Sequence, residues 1–94
     1  MMSRELIIKP GAELDLRQAH RWYEDQRVGL GQELLDEVDV TLNRIRKNPK
    51  SGTPAYRDSR LALTRRFPYV ICYVFNEQTL FVLAIFHGHR DPGV

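Results

Sequence analysis

The chain has 94 residues and a mass of 11.0 kDa, enough for one domain over residues 1–94 and too little for a two-domain or cofactor-cradling enzyme. Apolar residues make up 43% of the chain, too many for a disordered protein, and a net charge of +2 does not by itself indicate nucleic acid. A single cysteine, Cys72, excludes an internal disulfide framework and a cysteine-based zinc cluster. Since the sequence has neither a membrane-length apolar run nor a secretory signal, we expect a cytoplasmic protein without a cofactor.

A short strand and two helices are the first predicted elements. Residues 5–9 have a strand-like composition and are followed by a proline and a glycine. Apolar residues then recur at helical spacing over residues 12–23 and again over residues 34–45. Residues 29–31 contain two glycines and interrupt the pattern, and Pro49 ends the second helix. Two consecutive helices joined by a short turn predict an αα-hairpin.

The second half of the sequence predicts a loop followed by three strands. Residues 49–59 have the composition of a loop, whereas residues 61–65, 69–75 and 80–86 are rich in β-branched and aromatic side chains. Residues 76–79 read as a hairpin turn between the last two strands. The order β-α-α-β-β-β therefore predicts an α+β fold, with the helix hairpin packed on one face of a mostly antiparallel four-stranded sheet.

The positive charge is concentrated in the middle of the chain. Residues 1–43 hold five basic and nine acidic residues, and residues 67–94 hold one basic and two acidic residues. Residues 44–66, in contrast, hold eight basic residues and one acidic residue. This asymmetry is typical of a protein that presents one basic surface to an anionic partner, and a solvated helix end followed by a solvated loop would have the same composition. The predicted binding residues are Lys47, Lys50, Arg57, Arg65 and Arg66.

Several stretches of the sequence, taken in order, resemble one known family. They are residues 19–24, 29–31, 45–49, 66–73 and 87–92. Together with the element order, they make the chain similar to the RelE/ParE superfamily of toxins from bacterial toxin–antitoxin modules, which includes the plasmid stabilisation proteins. The resemblance implies a small toxin that a cognate antitoxin holds inactive in a hetero-oligomer. It also implies a target that is either DNA gyrase or mRNA on the ribosome.

Three residues are candidates for catalysis if the chain cleaves RNA. Cleavage without a metal needs a base, a cation beside the phosphate and an acid for the leaving oxygen. In RNA-cutting relatives an arginine near the position of Arg60 faces the scissile phosphate, and a guanidinium suits that role because it stays protonated. His87 is a candidate acid or base, and Arg90 a nearby electrostatic partner.

Each of these candidates also has a structural interpretation. Arg60 could pair with Asp58 or with an acidic residue of the helices, and the histidines could cap the end of the sheet. A metal site is a further alternative, with the ligands His87, His89 and Asp91.

Two aromatic residues and the cysteine are predicted to be structural. Trp22 and Tyr23 could stack on bases, but their helical spacing favours packing in the core. Cys72 lies in an apolar strand, where a free cysteine behaves as a small buried apolar residue.

Three functional hypotheses follow from the resemblance. A complete set of acid, base and cation is missing from the sequence, which favours a toxin that acts by binding a protein target such as DNA gyrase. The alternatives are a ribosome-dependent mRNA endoribonuclease and an inactive fold relative that serves as an interaction module. In each toxin hypothesis we expect an acidic, partly disordered antitoxin tail that covers the basic segment.

Overall fold

The computed structural model describes residues 4–88, which form two helices and five strands. In chain order the elements are β1 (Glu5–Ile8), α1 (Pro10–Gln26), α2 (Leu30–Lys47), a 3-10 turn (Pro49–Ser51), β2 (Thr53–Pro54), β3 (Arg60–Leu63), β4 (Tyr69–Phe75) and β5 (Thr79–His87). The predicted α+β fold with a helix hairpin on one face of the sheet is confirmed. The predicted strand count was too low by one, because a short strand lies within the predicted loop.

The sheet has the order β1-β5-β4-β3-β2, in which β1 runs parallel to β5 and the other neighbours are antiparallel. The extra strand β2 pairs Thr53 with Leu61 and Pro54 with Arg60. A proline is tolerated there because β2 is an edge strand. Its backbone can face solvent on one side, so the sheet loses no hydrogen bond when the N–H is missing.

The helix hairpin packs through small and branched residues. Ala12 and Ala19 are the buried residues of α1, whereas α2 buries larger side chains such as Leu34 and Ile45 against the sheet. Burial of these apolar surfaces is the main contribution to the stability of the hairpin layer. Trp22 departs from the prediction of core packing: it is 49% exposed and contacts Tyr23 edge to face.

A β-bulge in β5 explains why its sequence lacks an alternating pattern. Cys72 pairs with Ala84 and Tyr73 pairs with Val82, so Leu83 has no partner on β4. The extra residue reverses the alternation of side chains along β5. Val82 and Ile85 are therefore both buried in the core although they are three residues apart.

The edge of β5 is covered by two different elements. β1 pairs with β5 only as far as Val82, and beyond that point α1 lies along the strand. There the backbone N–H of Ile85 donates a hydrogen bond of 3.0 Å to Asp15 Oδ2. A carboxylate of α1 thus satisfies a backbone group that a longer β1 would otherwise pair.

The two helices meet at a carboxylate that caps α2. Glu24, on α1, accepts hydrogen bonds from the backbone N–H groups of Gly29, at 2.9 Å, and Gly31, at 3.0 Å. Gly29 has a φ of 91°, and a Cβ atom on Gly31 would lie 2.7 Å from the carbonyl oxygen of His20. Glycine is therefore required at both positions, one for its backbone conformation and one for close helix approach.

We expect acid to destabilise the fold through this cap. The hydrogen bonds from Gly29 and Gly31 hold the pKa of Glu24 below its usual value of 4.5, so the stabilisation is present above that pH and is lost as the pH falls through the folded-state pKa. Urea unfolding at a series of pH values should show this loss, and Glu24→Gln should reduce both the stability at neutral pH and its dependence on acid. Asp25→Asn, which removes an exposed carboxylate of the same helix, is the matched control. A Glu24→Gln protein with an unchanged acid dependence would contradict the assignment.

Candidate functional site

The predicted basic residues do not form one continuous surface. All five are exposed, but Lys47 and Lys50 lie at the C-terminal end of α2, whereas Arg66 contacts Glu33 near its N-terminal end. Fourteen residues of helix separate these two positions, which corresponds to about 21 Å. The five residues are therefore spread along α2 and not gathered in one compact patch, because the β3–β4 connection runs back along this helix. The binding role of these residues stays a prediction.

Acidic side chains of α2 hold the connection between β3 and β4. Arg66 and Arg27 donate hydrogen bonds of 2.8 and 2.9 Å to the two carboxylate oxygens of Glu33. These two bonds hold the pKa of the Glu33 carboxyl below its usual range. One residue earlier, the backbone N–H of Arg65 donates to Glu37 Oε1 at 3.1 Å. Part of the charge of the basic segment is thus neutralised within the molecule.

Arg60 binds the backbone of a loop. Its Nη1 atom donates hydrogen bonds to the carbonyl oxygens of Gly52, at 2.8 Å, and Lys50, at 3.1 Å. These contacts differ from the predicted pairing with Asp58 or with a helix carboxylate, because the 3-10 turn brings two carbonyl groups to the start of β3. The guanidinium fixes the chain between α2 and β2.

A buried tyrosine fixes the same loop from the core. Tyr73 is fully buried, and its hydroxyl donates to the carbonyl of Pro49 at 2.5 Å and accepts from the N–H of Gly52 at 3.1 Å. Burial raises the pKa of the Tyr73 hydroxyl. Arg60 pairs with Tyr73 in the β3–β4 register, so both side chains act on one segment. Sequence reasoning missed this anchor, and the signal available was a polar group inside an apolar strand.

The candidate catalytic residues are separated in the fold. His87 lies opposite Tyr69 at the end of β5, with 5.4 Å between the ring centroids, whereas Arg60 lies opposite Tyr73. Arg60 and His87 lie two strands apart in the sheet and are offset by four residues along it. These spacings place their Cα atoms roughly 16 Å apart. The Arg60 guanidinium is bound to the carbonyl groups of Lys50 and Gly52, and a catalytic role for Arg60 and His87 stays a prediction. The other candidates, Arg90, His89 and Asp91, lie outside the described residues.

The face of the sheet opposite the helices is apolar, and we call it the open sheet face. By the pairing register, its side chains are Leu61, Leu63, Val70, Cys72, Val74, Phe81, Ala84 and Phe86. The bulged residue Leu83 lies on the same face, because it lines a cavity together with Cys72 and Val74. Leu63 is 65% exposed and Leu83 is 38% exposed. Cys72 is only partly buried, contrary to the prediction, because it lies on this face, and burial raises the pKa of its thiol. A contiguous apolar surface of this kind is typical of a protein-binding site.

Basic side chains border the open sheet face. Lys9 lies over the ring of Phe81, with Nζ 5.5 Å from the ring centroid. Arg57 and Asp58 line a cavity of about 440 Å³ at one edge, and Arg65 and Arg66 line another of about 390 Å³. The border of the apolar centre therefore carries four cations, of which Arg66 is paired with Glu33, and the carboxylate of Asp58. This arrangement suits a partner with an apolar stripe flanked by acidic residues.

The continuous apolar strands were the sequence signal for this face. A lack of polar alternation is typical of central strands or of strands covered on both faces; β4 and β5 are central, and within residues 4–88 the helices cover only one face. None of the helices described is long and apolar enough to span a membrane.

Comparisons with known proteins agree with this architecture. Toxin ParE2 of two Mycobacterium tuberculosis strains, CDC 1551 and H37Rv, is 29% identical to the chain over 92 residues, covering 97% of this chain and 88% of the relative. A solved structure of the chromosomal ParDE system from P. aeruginosa superimposes with a TM-score of 0.80 at 13% identity, covering 90% of this chain and 96% of the other. The toxin–antitoxin complex RelBE2 from Mycobacterium tuberculosis gives a TM-score of 0.64 at 17% identity, covering 92% and 99%.

The family assignment follows from a match over most of the sequence. The sequence model described as "ParE toxin of type II toxin-antitoxin system, parDE" matches residues 6–92. The predicted resemblance to the RelE/ParE toxins is confirmed. The chain belongs to the ParE toxin family of type II toxin–antitoxin systems.

Proposed function

We propose that this toxin acts by binding a protein target, DNA gyrase, and that its cognate antitoxin neutralises it by covering the open sheet face. The observation that carries the first part is the position of Arg60. Its guanidinium is engaged by two loop carbonyl groups, and the Cα atoms of Arg60 and His87 lie roughly 16 Å apart by the strand spacings. A toxin that acts by binding requires no shared catalytic centre at these two residues.

The antitoxin part of the proposal is supported by the composition of the open sheet face. Its centre is apolar and its border is mainly basic, with Lys9, Arg57, Arg65 and Arg66. An acidic segment with apolar side chains on one side would bury the centre and pair with the border. The solved structures similar to this chain come from toxin–antitoxin systems, which supports a cognate antitoxin as partner.

The target is tested with purified protein and with cells. We expect excess toxin to inhibit supercoiling by gyrase in vitro, and co-purified antitoxin to restore it. Unaltered supercoiling, together with new mRNA 5′ ends within codons of induced cells, would replace the proposal with the ribosome-dependent endoribonuclease. Expression without any growth defect would instead favour an inactive fold relative.

A variant of Arg60 tests whether this residue has a structural or a catalytic role. We expect Arg60→Ala to lower the free energy of unfolding by about 2 kcal/mol, because two carbonyl groups lose a charged donor. At a temperature where the variant is folded, its inhibition of gyrase should equal that of the wild type. Arg57→Ala, which removes an exposed arginine over Tyr56, is the control for stability and should leave the free energy of unfolding nearly unchanged. A stable but inactive Arg60→Ala protein would favour catalysis.

A further inference from the structure

A second apolar strip lies on the helix side of the molecule, between α1, α2 and β1. Two adjoining cavities, of about 480 and 390 Å³, share Leu16 and Leu35 in their lining. The second cavity extends to Leu6 and Ile8 of β1. We call this strip the helix groove. It is separated from the open sheet face by the whole thickness of the sheet and the helix layer.

The two walls of the helix groove carry opposite charge. Arg17, His20 and Arg21 line it from α1, together with one acidic residue, Glu13. Asp36 and Asp39 line it from α2. The other two acidic residues in the first part of α2, Glu33 and Glu37, bind Arg27, Arg66 and the N–H of Arg65 instead, so the negative charge of the groove comes from Asp36 and Asp39.

These charges are not neutralised across the groove. Within residues 4–88, Arg21 and Asp39 form no ion pair, and Asp36 accepts a hydrogen bond from Gln32 of its own helix. Arg17 pairs with Glu13 of its own helix, in a contact whose side chains are 72% and 54% exposed. Exposed pairs of this kind contribute little and exchange readily for other partners.

We propose that the helix groove is the interface of a symmetric dimer, with a second copy of this chain as its occupant. A twofold axis that runs parallel to the helices places α1 of each copy opposite α2 of the other. The basic wall then faces the acidic wall on both sides of the apolar strip. A twofold axis perpendicular to the helices would place like charges together, so the charge pattern selects one arrangement.

The level of the residues along the helices agrees with this pairing. Gly31 lies beside the backbone of His20, so in antiparallel helices Arg17, three residues before His20, and Asp36, five residues after Gly31, differ in level by about 3 Å, which an arginine side chain spans. An axis parallel to the helices preserves this level. Arg17 of one copy therefore meets Asp36 of the other.

Apolar side chains on the outer surface of the helices would add to the buried area. Leu14 of α1 is 52% exposed and Val40 of α2 is 59% exposed. A stable interface needs about 800 Å² from each partner. The chain exposes 6515 Å², so an eighth of its surface is sufficient, which one side of a two-helix layer can supply.

Charge reversal tests the dimer directly. The full chain is studied by sedimentation equilibrium over a range of concentrations. We expect a monomer–dimer equilibrium that weakens at least tenfold in Arg17→Glu and in Asp36→Arg, because each substitution opposes like charges at two symmetric positions. The double variant R17E/D36R restores the opposition of unlike charges and should recover most of the lost affinity. Arg57→Glu, on the open sheet face, should leave the dimer constant unchanged.

Two results would overturn the proposal. One is a chain that stays monomeric at every concentration tested. The other is a dimer that the single reversals leave unchanged or that the double variant fails to recover. Circular dichroism of each variant confirms that lost association is not lost folding. The dimer test is independent of gyrase and of the antitoxin, so its failure leaves the proposed function standing.

Discussion

Gly52→Ala is expected to lower the free energy of unfolding by about 3 kcal/mol, because its methyl group has no space in the fold. A Cβ atom on Gly52 would clash with the hydroxyl of Tyr73 and lie 3.0 Å from the carbonyl oxygen of Leu61. The tyrosine cannot retreat, since it is fully buried and hydrogen-bonded to Pro49. Urea unfolding of the two proteins, followed by circular dichroism, measures the difference.

A double-mutant cycle with Tyr73→Phe identifies the clash as the cause. Tyr73→Phe alone should cost about 2 kcal/mol, because the buried carbonyl of Pro49 and the N–H of Gly52 lose their partner. In that background the oxygen is absent, so Gly52→Ala should cost clearly less than it does in the wild type. Additive effects would show that the glycine is required for another reason. Gly11→Ala is the matched control, since a Cβ atom there meets nothing within 4 Å.

Leu63→Glu and Leu83→Glu are expected to weaken antitoxin binding by about 100-fold each, because a carboxylate would be buried in an apolar interface and face an acidic partner. Both residues are exposed on the open sheet face, so their replacement should leave the stability of the toxin nearly unchanged. Titration of each purified variant with the cognate antitoxin, followed by calorimetry, gives the affinity.

The comparison variant for this prediction is Leu14→Glu. Leu14 is exposed to a similar degree, 52% against 65% for Leu63, but it lies on the outer surface of α1. Its antitoxin affinity should match that of the wild type. Equal losses in all three variants would indicate that the antitoxin surrounds the toxin, and losses in Leu14→Glu alone would move the antitoxin site to the helices.

Elements with a strong local pattern were predictable from the sequence. The strand over residues 69–75 was predicted with the bounds that β4 has, and the helix hairpin was predicted from two stretches of helical spacing. These elements are specified by side-chain periodicity, which a sequence displays directly. The exposure of Trp22 was not predictable in this way, because it lies one position beside the buried stripe, where small rotations of a helix decide burial.

Features that depend on distant residues were not predictable. The strand β2 exists because β3 pairs with it, and Arg60 binds a loop because the 3-10 turn presents two carbonyl groups there. The division of the basic residues into separate groups depends on the direction of β3 relative to α2. Such features are set by tertiary packing, and local composition does not encode them.

The position of β5 in the sheet has a consequence for how the toxin is made. β5 lies between β1 and β4, so it supplies hydrogen bonds to strands from both halves of the sequence. Until residues 79–85 have left the ribosome, β1 has no neighbour in the sheet, and Asp15 lacks the backbone N–H of Ile85 that it binds. The nascent chain can pair β2, β3 and β4 with one another, but β1 can join the sheet only after β5 has been made. The strand that is synthesised first therefore waits for β5 before it finds its place in the fold.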